Sequence, residues 1–133
     1  MTILINIDVP SLAEGERFYA SAFGLKPGRK LGDTVLEMRG WPVPTYLLEK
    51  PDGTIGAALG QREYARHWTP VHIDVVVADL DRAVELATAA GAVLESGPAD
   101  TAYGRIAMLG DPFGHGFCLI EFLGRGYDEI ATG

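Results

Sequence analysis

The stretch His72-Ile73-Asp74-Val75-Val76-Val77-Ala78-Asp79-Leu80 has a counterpart earlier in the chain, Leu4-Ile5-Asn6-Ile7-Asp8-Val9-Pro10-Ser11-Leu12, at a constant offset of 68 positions. Both alternate with period 2. Ile5, Ile7 and Val9 fall on one face of the first copy, and Ile73, Val75 and Val77 on one face of the second. Such alternation of β-branched residues is the mark of a half-buried strand. A repeat at this distance predicts one supersecondary unit used twice.

Each strand runs into a helix start. Ser11 is followed three residues later by Glu14, a capping-box pattern, and Asp79 is the matching cap in the second copy. Leu12, Tyr19, Ala22 and Phe23 then share one helix face, as do Leu80, Ala83, Val84, Ala87 and Ala90. Gly24 and Gly91 stand where a helix ends in a left-handed residue. Three shorter strands are expected after each helix. In the first half they are Lys26–Leu31, Thr34–Arg39 and Thr45–Lys50; in the second, Ala92–Glu95, Arg105–Gly110 and Gly116–Phe122. The turns Arg39-Gly40-Trp41-Pro42 and Asp111-Pro112-Phe113-Gly114 favour hairpins.

The expected organisation is therefore one α+β domain over residues 1–133, made of two βαβββ units at 2–50 and 71–122, with a linker at 51–70 and a tail at 123–133. The linker segment Gln61–Trp68 is expected to form one helical turn, and the tail, poor in apolar residues, to be mobile or to lie on a partner. A net charge of −7 argues against a nucleic-acid partner, which needs a basic face. The single cysteine, Cys118, rules out an intrachain disulfide and suits a reducing compartment. The N-terminal apolar stretch is too short for a signal peptide or a membrane span, so a cytoplasmic protein with no membrane partner is expected.

The motifs Val9-Pro10-Ser11-Leu12 with Phe18-Tyr19 and Phe23-Gly24-Leu25, Val77-Ala78-Asp79-Leu80 with Ala90-Gly91, and the closing Asp111-Pro112-Phe113-Gly114-His115 resemble those of the vicinal-oxygen-chelate superfamily. That superfamily includes glyoxalase I, the extradiol dioxygenases and bleomycin-resistance proteins. The resemblance covers about residues 2–122 and implies two βαβββ repeats whose curled, antiparallel and mixed sheets surround a cavity. Metal-dependent members place one ligand on the first and one on the last strand of each unit, typically His or Gln with Glu. Transferred to this chain, those positions read Leu4, Leu47, His72 and Cys118. Two leucines cannot bind a cation, and a lone imidazole with a thiol is not the donor set of the superfamily's Mg, Mn, Fe or Ni sites. The expectation is accordingly no metal and no other cofactor.

Strand parity then places Asn6, Asp8, Glu49, His72, Asp74 and Cys118 on the concave faces, with Tyr46 turned away, and Trp41, Trp68 and Tyr103 at loops or edges that can close a pocket. Small-molecule cavities are mostly apolar with a few placed polar groups. Each residue also has a plainer role. His72 can be a structural histidine bonded to Asp74, Cys118 a small apolar core residue, and Asp8 and Glu49 solvated carboxylates. Trp41 and Trp68 can be packing residues, and His115 and His67 exposed.

Three functions compete. The first is a metal-free small-molecule binder like the bleomycin-resistance branch. The second is an enzyme, a lyase, isomerase, hydrolase or dioxygenase, using His72 with Asp8, Glu49 or Asp74 for acid–base work. The third is a metal enzyme with shifted ligands drawn from His72, Asp74, Asp8 and Glu49. A homodimer is expected, since the resemblance implies paired chains and open sheet edges invite pairing.

Overall fold

A computed structural model describes residues 1–58 and 60–133. The chain divides into two compact units, Met1–Ala65 and Arg66–Gly133. In the first, strand β1 (Ile5–Val9) leads into helix α1 (Leu12–Phe23), followed by strands β2 (Lys26–Lys30), β3 (Val35–Arg39) and β4 (Thr45–Glu49). The second repeats the order with β5 (Ile73–Val76), α2 (Leu80–Ala90), β6 (Val93–Thr101), β7 (Gly104–Gly110) and β8 (Gly116–Phe122). The sheet orders are β1-β4-β3-β2 and β5-β8-β7-β6. In each sheet the first strand pairs in parallel with the last, and the other pairs are antiparallel. The two βαβββ units and the helix starts at Leu12 and Leu80 are as the repeat predicts.

The caps explain why the helices begin where they do. Ser11 Oγ accepts the Glu14 N–H, and Asp79 Oδ1 accepts that of Arg82. A second cap comes from the far end of each unit. Glu49 Oε2 accepts the Leu12 N–H at 2.8 Å, and Glu121 Oε2 accepts the Leu80 N–H at 3.1 Å. A carboxylate at a helix N-terminus satisfies a donor that the helix leaves unpaired and meets the positive end of its dipole. Gly24 and Gly91 close the helices in the left-handed region, at φ 68° and 118°.

Under α1 lie Val9, Leu36, Met38 and Leu47 with Phe18, Tyr19 and Ala22 of the helix itself, all buried. Gly15 lets the helix sit close to the sheet, since a Cβ there would stand 3.0 Å from Val9 Cγ1 and 3.1 Å from Leu47 Cδ1. The buried set of the second unit includes Leu80, Ala87, Ala107, Leu109 and Leu119.

Three expectations change. Strand β6 runs on to Thr101 rather than ending at Glu95. Gln61–Trp68 forms no helical turn. It is held instead by a loop in which Gly53 donates to Arg62 O and Arg62 N–H to Thr54 O, and by the Tyr64 hydroxyl donating to Lys50 O. In the tail, Gly126–Glu129 makes a 3-10 turn that sets Tyr127 against Phe122 and Tyr103, with ring centroids 4.7 and 5.0 Å apart. The aromatic ring anchors a segment whose mean composition gave no sign of packing. Among the described residues, no helix is long and apolar enough to cross a membrane.

Candidate functional site

In each unit one sheet face carries the helix and the other does not. Pairing register assigns the residues. Asp74 lies beside Cys118, and Cys118 beside Met108, so these three side chains leave the sheet on the same side, away from α2. His72, just before β5, joins them, its Nε2 3.0 Å from Asp74 Oδ1. Ligand atoms of His72, Asp74 and Cys118 all lie within 4.8 Å of one another. Cys118 is 5% exposed, whereas His72 and Asp74 open to solvent.

Beside this cluster is a cleft of about 190 Å³ lined by Arg66, Trp68, His72, Glu95, Met108 and Cys118, with Thr69, Leu109, Gly116 and Phe117. Arg66 is built into its wall. Gly110 and Gly116 face each other across the β7–β8 hairpin. A Cβ at Gly116 would fall 2.5 Å from Arg66 Nη2, and one at Gly110 3.0 Å from Arg66 Cδ. The two glycines form a floor on which the guanidinium rests, donating to Glu95 Oε1 at 2.5 Å and Oε2 at 3.1 Å. It also donates to the His67 carbonyl. The hairpin turn is fixed by buried Asp111, whose Oδ1 accepts the N–H groups of Phe113 and His115 and whose Oδ2 lies 2.7 Å from His115 Nδ1. His115 is therefore tied into the turn and half-buried, not free in solvent as the sequence suggested.

Burial pushes the Cys118 thiol up to about 11, with the nearby Asp74 carboxylate acting in the same direction. At neutral pH the thiol is protonated, which removes it as a nucleophile. The sign for stability follows. Because the folded state favours the neutral thiol, that contribution is present below the unfolded value near 9 and is lost as pH rises toward 11. Alkylation of Cys118 by iodoacetamide is expected to be slow at pH 8 and to quicken up to about pH 11. A rate that levels off near pH 8.5 would show an ordinary thiol.

The first unit presents a different face. Asn6 lies beside Tyr46 and Asp8 beside Leu48, away from α1. Asp8 Oδ2 pairs with Arg62 Nε at 2.7 Å. Glu37, beside Tyr46, sits between Arg29 Nη2 at 2.8 Å and Arg39 Nη2 at 2.9 Å. Hydrogen bonds, chiefly from the Arg29 side chain, hold the Glu37 carboxyl down to about 2.

Several expected site residues lie elsewhere. Glu49 and Leu47 are on the α1 side of β4, Glu49 as a helix cap and Leu47 fully buried. Tyr46, expected to turn away, is the residue on the open face. The reason is a one-position slip. Glu49 and Glu121 make the same cap 72 positions apart, so the first-unit equivalent of Cys118 is Tyr46, not Leu47. With period 2, a shift of one reverses every face. Glu49→Ala is accordingly expected to cost about 0.5–2 kcal/mol of stability in a urea titration through the lost cap. A change in ligand affinity at unchanged stability would contradict that role.

Trp41 packs edge-on against Tyr19 at 6.3 Å and tilted against Phe23 at 5.3 Å, both of α1, and does not line the cleft. Tyr103 belongs to the Phe122–Tyr127 cluster. Trp68 does line the cleft and is 80% exposed. The sequence reading missed Arg66, Glu95 and Met108. Met108 was reachable, because the Asp111–Gly114 turn sets Gly110 opposite Gly116 and so Met108 opposite Cys118. Arg66 had no such signal.

Residues 4–120 match the model of the family described as glyoxalase-like domain. No curated protein matches the chain. Among solved structures, a genomically encoded fosfomycin resistance protein from Listeria monocytogenes is similar, at 19% identity, 98% coverage of both chains and a TM-score of 0.71. A glyoxalase/bleomycin resistance protein/dioxygenase family enzyme from Burkholderia phytofirmans is 19% identical, with 90% of this chain and 97% of that one covered and a TM-score of 0.70. A hypothetical protein from S. aureus is 20% identical, with 91% and 96% covered and a TM-score of 0.70.

Proposed function

Because the chain belongs to the glyoxalase-like domain family of the vicinal-oxygen-chelate superfamily, we propose that it binds a small organic molecule in the cleft beside His72. On this reading it does so without the oxygen-preferring metal centre of the superfamily's metal-dependent members. The observation that carries the proposal is the cleft itself. It offers an exposed indole, a thioether and a buried thiol beside an imidazole and a fixed guanidinium–carboxylate pair. Apolar area with few, oriented polar groups is the usual make-up of a small-molecule site. Two of the similar structures carry names that refer to fosfomycin or bleomycin resistance, which fits a small antibiotic-sized ligand.

The donor positions support the absence of that metal centre. With the register corrected, they read Leu4 and Tyr46 in the first unit and His72 and Cys118 in the second. A leucine, a phenol, one imidazole and a thiol do not fit a cation that prefers carboxylates and imidazoles.

The test is a thermal-shift screen of small organic compounds on chelator-treated protein, since a ligand that binds only the folded state raises its melting temperature. His72→Ala is expected to weaken a hit by about 0.5–1.5 kcal/mol, the net worth of one hydrogen bond. Unchanged affinity would remove His72 from the site.

A second reading, an acid–base enzyme, is favoured by the 3.0 Å His72–Asp74 pair, since a carboxylate on one ring nitrogen orients the imidazole. Turnover of a screened hit, lost in Asp74→Asn while binding persists, would establish it. We also propose a cytoplasmic homodimer. Its support is the pair of open sheets, each with two outer strands, and the lone, buried cysteine.

A further inference from the structure

Resting on the reading of the second unit's open face as a binding site, we propose that Tyr127 is a further residue of that site. It is carried there by the C-terminal turn, which straps the face and swings aside to admit a small molecule. Strand parity locates the strap. Cys118, Ile120 and Phe122 leave the sheet away from α2, since Glu121, between the last two, caps that helix. Phe122 therefore shares the face of Asp74 and Cys118, roughly 13 Å further along β8 than Cys118.

Beyond Phe122 the chain turns back on itself. Gly124 and Gly126, at φ 60° and 61°, reverse it in the left-handed region. Gly126 lies on the Phe122 ring, where a Cβ would stand 3.2 Å from Cδ1. Tyr127 follows, its ring centroid 4.7 Å from that of Phe122 and 5.0 Å from that of Tyr103. Burial pushes the Tyr127 phenol up, and Asp74, Tyr103 and Cys118 act in the same direction. The side chain thus touches Phe122 and leans back along the face toward Asp74 and Cys118. Closed, Tyr127 ends the face beyond that pair. Swung out, it lengthens the face as far as Phe122.

The fastening is thin. The turn is bonded within itself: Gly126 N–H donates to Leu123 O, Asp128 N–H to Arg125 O, and the N–H groups of Ile130 and Ala131 to Tyr127 O. Glu129 accepts from the backbone and side chain of Arg125. Among the described residues, the last hydrogen bond that ties this end of the chain to the rest of the unit is Leu123 N–H to Tyr103 O. Past it, the turn is held to the sheet by ring packing. A segment that is internally bonded but fastened by few contacts opens locally without unfolding its neighbours.

The test reads access to the face with iodoacetamide, which reports on Cys118, the only cysteine of the chain. It uses no screened compound, so its outcome is separate from that of the screen above. At one fixed pH below the thiol's value of about 11, alkylation is followed in the full-length variants. Tyr127→Ala is expected to react at least about fivefold faster than wild type, the weight of two lost ring contacts. Gly126→Ala, which pushes the turn off the Phe122 ring, should change the rate in the same direction. Tyr127→Phe keeps the ring and should match wild type. Trp41→Ala loosens the packing on α1 in the first unit and should also match it, which separates strap opening from general destabilisation. Native-state amide exchange of the wild type gives a second reading that needs no variant. The amides of Ile130 and Ala131 should exchange long before that of Val77, which is bonded to Ile120 O. The proposal is overturned by unchanged rates in Tyr127→Ala and Gly126→Ala, by an equal rise in Trp41→Ala, or by turn amides that exchange together with Val77.

Discussion

Replacing Gly104 by alanine is expected to cost more than about 4 kcal/mol, at the level that unfolds a marginal domain. Gly104 opens β7 with φ 147°, a region that side chains rarely adopt. An added Cβ would lie 2.0 Å from the carbonyl oxygen of Glu121 and 3.0 Å from the Leu123 nitrogen. Both are backbone atoms of β8 and its exit, so no side-chain rotation relieves the clash. Conformational strain alone accounts for about 1–3 kcal/mol. The rest comes from separating β7 from β8 where Gly104 pairs with Phe122 and where Tyr103, Phe122 and Tyr127 pack. Gly32→Ala is the control. Its φ of 67° is also left-handed, but nothing stands within 4 Å of the added atom. Urea titration should show Gly32→Ala losing about 1 kcal/mol and Gly104→Ala several times more. Equal losses would mean that the close approach of the two strands is wrong.

The second large effect tests the register of β8. Leu119 is 1% exposed and shares its face with Leu109 and Ala107 beneath α2. Leu119→Ala removes buried methylenes and leaves a void on the helix side of the sheet, with an expected loss of about 2–5 kcal/mol. Met108→Ala deletes a side chain of similar size that is 49% exposed on the opposite face. It should cost less than about 1 kcal/mol, since partly exposed surface is not far from its unfolded environment. Because side chains alternate, a slip of one residue would exchange these two results.

How far the sequence reached can be seen in the same strands. The segments Val9–Leu12 and Val77–Leu80 carried their structure openly, through β-branched alternation running into a side-chain cap, and both helices begin as those residues dictate. His72, Asp74 and Cys118 were legible for the same reason, parity counted over short distances from a cap or a turn. The first unit's last strand was not. The offset between repeats is 68 at the helix caps and 72 at Glu49 and Glu121. The second unit holds four more residues between those points, and β6 runs long there. Gly97-Pro98 and the register shifts of β6 lie in that stretch, beyond the Glu95 at which the strand was expected to end, so the position aligned in the first unit's last strand was Leu47 instead of Tyr46. Glu49 was misread with it. A carboxylate near a strand end looks like a cavity group until the helix N-terminus it caps is seen in space.

Arg66 shows a different limit. Its place depends on Gly110 and Gly116 being opposite each other and on Glu95 lying within reach, 29 positions away. Each glycine, read alone, is a strand end beside a turn. Only the paired hairpin turns them into a floor. Trp41 and Tyr103 failed for a related reason, since an aromatic residue in a loop has no periodicity to say whether it packs beneath a helix or lines a cleft. The second unit's open face was predicted by counting; the cleft wall that completes it is a tertiary product.

The central claim is that small-molecule binding is a property of the second unit's face at His72, Asp74 and Cys118. Two-dimensional amide NMR of labelled, chelator-treated protein, titrated with a hit from the thermal-shift screen, tests it most directly. The account predicts that the largest shifts fall on Arg66–Asp74, Met108 and Gly116–Cys118, while Asn6, Glu37 and Tyr46 stay close to their unliganded positions. Shifts concentrated on Asn6, Asp8, Glu37 and Tyr46, with the cleft residues unmoved, would contradict it.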